Sequence, residues 1–288
     1  MRASTRRIWL CADDYGIAPG VNRGIRQLIL NGRLNATSVM MAAPHIDADE
    51  VDALTMLNSG KPRAALGLHV TLTGKFRPLS AGFAPLRNGV FLSNAQLAAR
   101  AMARRLEAEL FAIEIATQMQ AFLDAFGRLP DFVDGHQHVQ LLPIVRDAFL
   151  KVVAEIAPQA WVRQCGRVAA ARRLRDPKAL AIDVLNLGFR AKAAQLGLAT
   201  NPAFAGAYAF RADADFATIF PPFLDGLPDS GLVMCHPGYV DAALKGLDSL
   251  TDLRERELAY FDSDAFPRDL ARRGVALADP AGEIGPAA

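Results

Sequence analysis

The sequence predicts an α/β fold, a distorted (β/α) barrel of the TIM-like type with parallel strands. Short apolar segments alternate with helical ones, which is typical of parallel strands joined by right-handed helical crossovers. The chain has 288 residues, and a barrel of this kind uses such a length as a single domain, here residues 1–288. Six or seven candidate strands fall short of eight, so the prediction includes an incomplete barrel.

The first half of the chain shows this alternation clearly. An apolar run at residues 7–12 is the first predicted strand. A helix follows, with Pro19 in its first turn, apolar residues at helical spacing and Gly32 as its stop. The apolar segments 37–42 and 64–70 are the second and third predicted strands.

The second half begins with a helical region. Ser93 and Gln96 have the pattern of a capping box, and the Ala-, Leu- and Glu-rich segment after them, to about residue 126, predicts one helix or two. Further short strands are expected at residues 132–134, 160–163, 232–235 and 275–277. Helical pieces are predicted around 177–197, and residues 201–206 have a loop-like composition. Beyond Asp279, proline, glycine and alanine predict a frayed tail.

Composition excludes several classes of protein. Apolar residues make up 51% of the chain, enough for a sizeable core. The net charge is +2, so no electrostatic argument favours nucleic acid as a partner. We interpret the basic run of Arg172, Arg173 and Arg175 as a solvated face.

Targeting and redox signals are consistent with a cytoplasmic protein. The apolar run that begins after Arg7 is too short for a signal-peptide core, and no segment is long enough to predict a membrane-spanning helix. Three cysteines without paired spacing argue against a disulfide framework and against a structural zinc module.

Polar residues that can bind metal or move protons lie at the ends of the predicted strands. They comprise four of the five histidines and two adjacent aspartates: Asp13, Asp14, His69, His136, His138 and His236. Taken singly, each has an ordinary interpretation, such as a helix cap or a buried, hydrogen-bonded histidine. Because the carboxyl ends of parallel strands meet at one mouth, we expect these residues to converge. Two histidines and a carboxylate would form a three-ligand metal site with room for water.

Spacing within the motifs suggests a division of roles. Neighbours on an extended backbone face opposite sides, so of Asp13 and Asp14 one would bind the ion and the other would act as a base. His136 and His138 would face the same side, so that both bind or one supports the other. Imidazole and carboxylate ligands suit zinc and its neighbours better than magnesium.

This set of groups is typical of amide or ester hydrolysis. A bound cation lowers the pKa of its water, a carboxylate accepts the proton, and a histidine protonates the leaving group. The sequence contains no Gly-rich phosphate loop of the P-loop or dinucleotide type and no G-x-S-x-G nucleophile motif.

Four segments together resemble a known family. They are Ala-Asp-Asp-Tyr-Gly at 12–16, Gly-Leu-His at 67–69, Asp-Gly-His-Gln-His at 134–138 and Cys-His-Pro at 235–237. In this order they are similar to the YdjC-like carbohydrate deacetylases, which include chitooligosaccharide and hopanoid-associated deacetylases. The similarity runs from about residue 7 to 240. It implies removal of acetyl groups from an N-acetylated amino sugar, as a small molecule or a glycoconjugate, with one divalent metal ion.

The resemblance also implies residue roles. It makes Asp14, His69 and His136 the metal ligands, Asp13 the catalytic base and His236 the general acid. It places His138 beside the metal, where it would hold substrate or water, and Arg163 against the catalytic aspartate. Tyr15 and Gln140 stand where the family commonly has phenylalanine and a third histidine, which puts the substrate in question more than the reaction. The choice between magnesium and zinc, and the presence of a homodimer, are left open.

Two other functions are weighed against this one. A barrel metallohydrolase acting on a non-sugar amide or ester would often carry a further carboxylate ligand or a bridging lysine, and neither can be placed in the sequence. A non-catalytic carbohydrate-binding barrel would have no need to keep the aspartates and histidines together. Five residues are candidates for stacking on sugar rings: Tyr15, Phe76, Phe204, Tyr208 and Tyr239. For each of them, the ordinary alternative is packing in the core.

Overall fold

The computed structural model describes residues 5–61, 63–168, 177–211 and 213–282. The arginine run at 172–175 and the last part of the predicted tail, 283–288, lie outside these residues. The strands are β1 (Arg6–Tyr15), β2 (Ala36–Val39), β3 (Ala65–Val70), β4 (Leu86–Arg87), β5 (Val90–Phe91), β6 (Phe132–Gly135), β7 (Trp161–Val162), β8 (Phe204–Ala205), β9 (Leu232–Cys235) and β10 (Val275–Leu277). The helices are α1 (Pro19–Leu30), α2 (Ala48–Leu57), α3 (Asn94–Met102), α4 (Ala108–Phe126), α5 (Val145–Ile156), α6 (Pro177–Gln195), α7 (Phe216–Ile219), α8 (Ala242–Leu247), α9 (Asp252–Asp262) and α10 (Ala265–Arg272).

The central sheet is parallel, in the order β7-β6-β3-β2-β1-β9-β8. The last strand, β10, pairs in parallel with the first residues of β1. It lies on the β2 side, because the amide of Asn35, just before β2, donates to the carbonyl of Ala278. The short strands β4 and β5 form a separate antiparallel pair.

The sheet curls until its edges meet. Val162 in β7 forms a parallel bridge to Thr200, and the N–H of Phe204 in β8 donates to the carbonyl of Gly166. The rings of Trp9 in β1 and Trp161 in β7 lie 5.9 Å apart, although β2, β3 and β6 separate those strands in the sheet. The distorted parallel barrel predicted from the sequence is confirmed.

Most elements lie close to their predicted positions. The capping box is formed by Ser93 and Gln96, and the helical segment behind it divides into α3 and α4. The first strand runs three residues further than predicted, and the second ends at Val39 rather than at residue 42. The loop predicted at 201–206 contains β8, which is only two residues long and so leaves no periodic pattern.

Two layers of side chains fill the inside of the curl. The layer nearer the amino ends of the strands contains Trp9 and Trp161, with Phe132 stacked on Trp161 at 4.4 Å between ring centroids. The Phe132 ring also covers Gly67, where an added Cβ would stand 2.4 Å from it. Because side chains on a strand alternate with a period of two, the next inward position on each strand carries a polar group or a thiol. These residues are Cys11, His69, Asp134 and Arg163, and they are linked to one another through Asp134 and Arg163.

Two sequence expectations concern the whole chain. The three cysteines, Cys11, Cys165 and Cys235, are free and buried. Among the described residues, no helix combines the length and the apolar character that crossing a membrane requires.

Candidate active site

The two adjacent aspartates lie on an irregular stretch of β1. Pairing with β2 shifts register between Ala12 and Tyr15, and Asp14 has a left-handed φ of 69°. Aspartate tolerates this conformation better than most residues, and such a bulge re-aims the side chains around it. The plain extended backbone assumed from the sequence is therefore wrong at this point. The carboxylates of Asp13 and Asp14 nevertheless have different partners.

Asp14 lies in a buried cluster with two of the predicted ligands. Its Oδ1 is 3.0 Å from His136 Nδ1 and 3.4 Å from His69 Nε2. One potential ligand atom from each of the three residues lies within 4.8 Å of the other two. A carboxylate oxygen with two imidazole nitrogens suits a divalent cation such as zinc.

His69 is oriented in the way that metal-binding histidines usually are. Its Nδ1 lies 2.6 Å from Asp134 Oδ1 and 3.0 Å from the hydroxyl of Ser38, which leaves Nε2 facing Asp14. Burial lowers the pKa of His69, but the carboxylates of Asp134 and Asp13 outweigh it and raise that pKa to about 10. The surroundings of this ring therefore favour positive charge. The residues present fit a divalent cation.

The second oxygen of Asp14 is held by Arg254, a residue of α9. Arg254 Nη2 lies 2.6 Å from Asp14 Oδ2 and 2.7 Å from Asp248 Oδ2, and the arginine is fully buried. Burial opposes ionisation of Asp14, but Arg254 and then His136 outweigh it and hold the pKa of Asp14 well below its usual range.

Asp13 pairs instead with Arg163, which follows β7. The guanidinium donates to both carboxylate oxygens, at 2.7 and 2.6 Å. It also lies 3.0 Å from Cys11 Sγ and 2.5 Å from Asp134 Oδ2. Cys11, Asp13 and Asp134 could together surround a metal ion, but Arg163 supplies the cation among them. Burial raises the pKa of Asp13, but Arg163 and His69 outweigh it and lower that pKa to about 2.

The histidine pair after β6 is not extended. Residues His136–Leu141 form a 3-10 turn in which Gln137 and His138 are left-handed, with φ of 55° and 60°. The prediction that both histidines face the same side of an extended chain is wrong. His136 faces Asp14, whereas His138 Nδ1 lies 3.5 Å from Cys165 Sγ. Burial and then Arg163 lower the pKa of His138 to about 3, so this ring is neutral.

His236, directly after β9, is anchored through its backbone. Its N–H donates to Glu257 Oε2 at 2.5 Å, and the hydroxyl of Tyr208 donates to Glu257 Oε1 at 2.8 Å. The His236 ring lies edge-on to Phe210, 5.8 Å between centroids, and its Nδ1 has no hydrogen-bond partner among the described residues. Burial lowers the pKa of His236 and raises that of Glu257 to about 7.

A cavity of about 610 Å³ opens above these groups. The predicted residues that line it are Asp13, Asp14, His136, His138 and His236. Its polar wall includes Asn94, Gln137, Asp248, Ser249, Thr251 and Asp252, and its apolar wall includes Ala98, Leu141, Leu142, Ala181, Ile182, Leu185 and Phe210. The cavity therefore offers both hydrogen-bonding groups and hydrocarbon to a ligand.

Two other predicted residues lie away from this cavity. The hydroxyl of Tyr15 bonds to the Glu50 carboxylate at 2.8 Å and accepts from Arg26 at 2.9 Å. Gln140 is buried, with its amide nitrogen 3.4 Å from the carbonyl of Arg163. Neither lines the cavity, and neither do the other proposed stacking residues, Phe76, Phe204, Tyr208 and Tyr239; among the described aromatic residues other than histidine, only Phe210 does.

Sequence analysis missed the residues on α9. Arg254 and Glu257 belong to a segment rich in charged residues that resembles a solvated helix. A signal was present, because Leu253, Leu258 and Phe261 are spaced to form one helical face, and both charged residues fall within it. Charged residues in the middle of an apolar helix face indicate buried ion pairs or hydrogen bonds.

The fold and this cluster define a class: a distorted parallel barrel with a candidate metal centre at the carboxyl ends of its strands. Within that class the chain belongs to the YdjC-like family, whose model, described as YdjC-like protein, matches residues 7–272. Among curated relatives, a chitooligosaccharide deacetylase of Citrobacter koseri is 29% identical over 92% of this chain and 94% of its own length. One of Escherichia fergusonii is 27% identical over the same shares.

Solved structures show the same fold. A proposed cellobiose-phosphate cleavage protein from Enterococcus faecalis superposes with a TM-score of 0.70 at 20% identity, over 96% of this chain and 98% of that one. A lactam utilization protein from Thermus thermophilus gives a TM-score of 0.52 at 16% identity, over 95% and 99%. At these identities the likeness concerns the fold alone.

Proposed function

We propose that this protein is a metal-dependent deacetylase that hydrolyses the N-acetyl group of an N-acetylated amino sugar to a free amine and acetate. Membership of the YdjC-like family and the names of the curated relatives support the reaction class. The observation that carries the proposal is the buried cluster of Asp14, His69 and His136, which meets the cavity beside Asp13 and His236. The pairing of β10 with β1 supports a single domain over residues 1–288.

Asp14, His69 and His136 would hold the divalent cation, magnesium or zinc. When bound, such a cation lowers the pKa of a water molecule and stabilises negative charge on the acetyl oxygen. Asp134 supports this role by orienting His69 through Nδ1.

Asp13 is the proposed base. It lines the cavity, and its two bonds to Arg163 fix the direction of its carboxylate. With a pKa of about 2 it is ionised at neutral pH but is a weak base, so it would depend on a bound cation to lower the pKa of the attacking water.

His236 is the proposed acid. It lines the same cavity, and Glu257 holds its backbone in place. Because burial lowers its pKa, the ring is a stronger acid in the molecules that carry the proton, and that proton would pass to the departing amine. His138, neutral and on the cavity wall, is placed to hydrogen-bond a sugar hydroxyl or water. Gln140 would act on His138 indirectly, because both side chains contact Cys165.

The substrate is proposed to be a chitooligosaccharide or an N-acetylglucosamine-containing conjugate. The polar wall around Asp248 and Thr251 suits sugar hydroxyls. The apolar wall from Leu142, Ile182 and Leu185 suits a less polar part of the same molecule.

Cation content and acetate release test the proposal. The purified protein would be analysed for bound divalent metal, then assayed with diacetylchitobiose, an N-acetylglucosaminyl glycolipid and N-acetyl-lysine as the non-sugar amide. Acetate from a sugar substrate, abolished by a chelator and restored by a divalent cation, is expected. Acetate only from N-acetyl-lysine would favour a non-sugar metallohydrolase. No acetate with any divalent cation would favour a non-catalytic barrel.

A further inference from the structure

We propose that Arg254 is a positioning residue that restricts Asp14 to a single metal-binding oxygen and so keeps a coordination position open for water. This proposal rests on the proposed function, because it concerns the cation held by Asp14, His69 and His136. Nothing in the sequence motifs or the family resemblance assigned a role to Arg254.

The two oxygens of the Asp14 carboxylate face different partners. Oδ1 faces the two imidazoles, at 3.0 Å from His136 Nδ1 and 3.4 Å from His69 Nε2. Oδ2 accepts a charge-assisted hydrogen bond from Arg254 Nη2 at 2.6 Å. A buried guanidinium on Oδ2 occupies one of its lone pairs and places a positive charge beside it, which disfavours its approach to a cation as a second ligand.

Arg254 is held at several points. The same Nη2 donates to Asp248 Oδ2 at 2.7 Å, and Nε donates to the carbonyl of Leu250 at 2.9 Å. The carbonyl of Arg254 accepts from the N–H of Gly238, in the loop that carries His236. The arginine is therefore held by its side chain and its backbone, and it cannot swing away from Asp14 without breaking these bonds.

The number of Asp14 oxygens that bind the cation distinguishes a positioning role of Arg254 from that of an ordinary structural ion pair. Replacing Arg254 by methionine removes a positive charge beside the cation site and frees Asp14 Oδ2. A cation should then bind more tightly, through both oxygens, and the position for water should be lost. An ion pair that only stabilises the fold would, on removal, lower stability and leave the coordination number of the bound cation unchanged.

The experiment compares wild type with Arg254→Met, Arg254→Lys and Arg6→Met. The last is a matched control on the same strand as Asp14: Arg6 is part-buried and donates to the carbonyls of Leu224, Leu227 and Arg273. Each protein is stripped of metal and titrated with Zn²⁺ by calorimetry. The rise of Tm on Zn²⁺ addition, the visible absorbance of the Co²⁺ form, and kcat and KM are measured as well.

For Arg254→Met we expect tighter Zn²⁺ binding and a larger Zn²⁺-induced rise in Tm than in wild type. We expect weaker Co²⁺ absorbance, because it falls as coordination number rises, and a kcat about 10- to 100-fold lower with little change in KM. Arg254→Lys keeps the charge, so its Zn²⁺ affinity should match wild type with an intermediate kcat. Arg6→Met should match wild type in Zn²⁺ affinity, in the rise of Tm, in Co²⁺ absorbance, and in kcat and KM.

An unchanged Co²⁺ spectrum in Arg254→Met, with Zn²⁺ affinity either raised or lowered, would overturn the role of Arg254 and leave the proposed function standing. If Arg254→Met does not fold, Arg254→Lys decides: a parallel loss of affinity and kcat overturns the proposal. A wild-type protein that binds neither cation would overturn the proposed function together with this inference.

Discussion

Asp13 and Asp14 are neighbours in sequence, yet the surroundings of their carboxylates differ. Arg163, from the end of β7, holds both oxygens of Asp13. Arg254, from α9, holds only one oxygen of Asp14 and leaves the other to two histidines. The number of oxygens that an arginine occupies therefore differs between the proposed proton acceptor and the proposed metal ligand.

Glu257 provides the contrasting case. It is buried like the two aspartates, but it accepts hydrogen bonds only from the His236 N–H and the Tyr208 hydroxyl among the described residues. Burial therefore dominates and raises its pKa to about 7, whereas the pKa values of the two aspartates are lowered. A directly bonded arginine decides the protonation of a buried carboxylate here.

The largest effect should come from Asp14→Asn. The variant loses the anionic oxygen that faces His69 and His136, so Zn²⁺ binding by calorimetry and acetate release should both fall to background. The exposed Asp124→Asn on α4 is the control and should behave as wild type. Retained Zn²⁺ affinity in Asp14→Asn would remove the distinction between the two carboxylates.

Asp13→Asn should come next, with turnover lowered but cation binding retained. The amide cannot accept a proton, so kcat for acetate release should fall about 10²- to 10⁴-fold. Zn²⁺ affinity should stay close to wild type, because Asp13 is not among the residues that face the cation. A turnover near wild type would exclude Asp13 as the base.

Arg163→Met should act on stability. It leaves Asp13 and Asp134 buried without their cation, which destabilises a protein by about 3–5 kcal/mol. Urea denaturation at neutral pH measures the change. A double variant that also carries Asp13→Asn should recover part of the loss, and no recovery would mean that the Asp13 pair is not its source.

Glu257→Gln should give the smallest effect, visible as pH dependence. The folded-state pKa of about 7 lies above the ordinary value of 4.5, so the folded protein keeps a proton that the unfolded chain releases between these values. The stability from this group is full below about pH 4.5 and is lost as the pH rises through 7. At 1.36 kcal/mol per pKa unit, wild type should lose about 3 kcal/mol relative to the variant over this range.

Urea denaturation at several values between pH 4 and 8 checks this difference. Glu114→Gln, which removes another buried carboxylate, bonded by the backbone of Leu79 and by Ser80, is the control. Stability curves of wild type and Glu257→Gln that run parallel would show that Glu257 is ionised in the folded state.

The sequence could predict what depends on local pattern. Apolar runs that end in histidine or aspartate identified β1, β3, β6 and β9 together with the groups at their ends. The left-handed conformation of Asp14 and of His138 could not be predicted, since the residues themselves do not require it. Short strands such as β8 could not be predicted either, because two residues are too few to show a periodic pattern.

Contacts across the barrel were less predictable, because they depend on how far the sheet curls. Arg163 meets Asp13 only because β7 comes round to face β1. Its association with an aspartate came from family resemblance, and its contact with Asp134 was not foreseen. Arg254 lay outside every motif, and only the face of α9 on which it falls indicated its burial.

The arrangement around β1 has a consequence for biosynthesis. This strand carries both aspartates and leaves the ribosome long before β9 and β10, the strands with which it pairs. Arg254 is 240 positions later than Asp14. Contacts this distant in sequence form slowly and only after most of the chain is available. The candidate site therefore cannot assemble until α9 has left the ribosome, and its carboxylates stay hydrated until then.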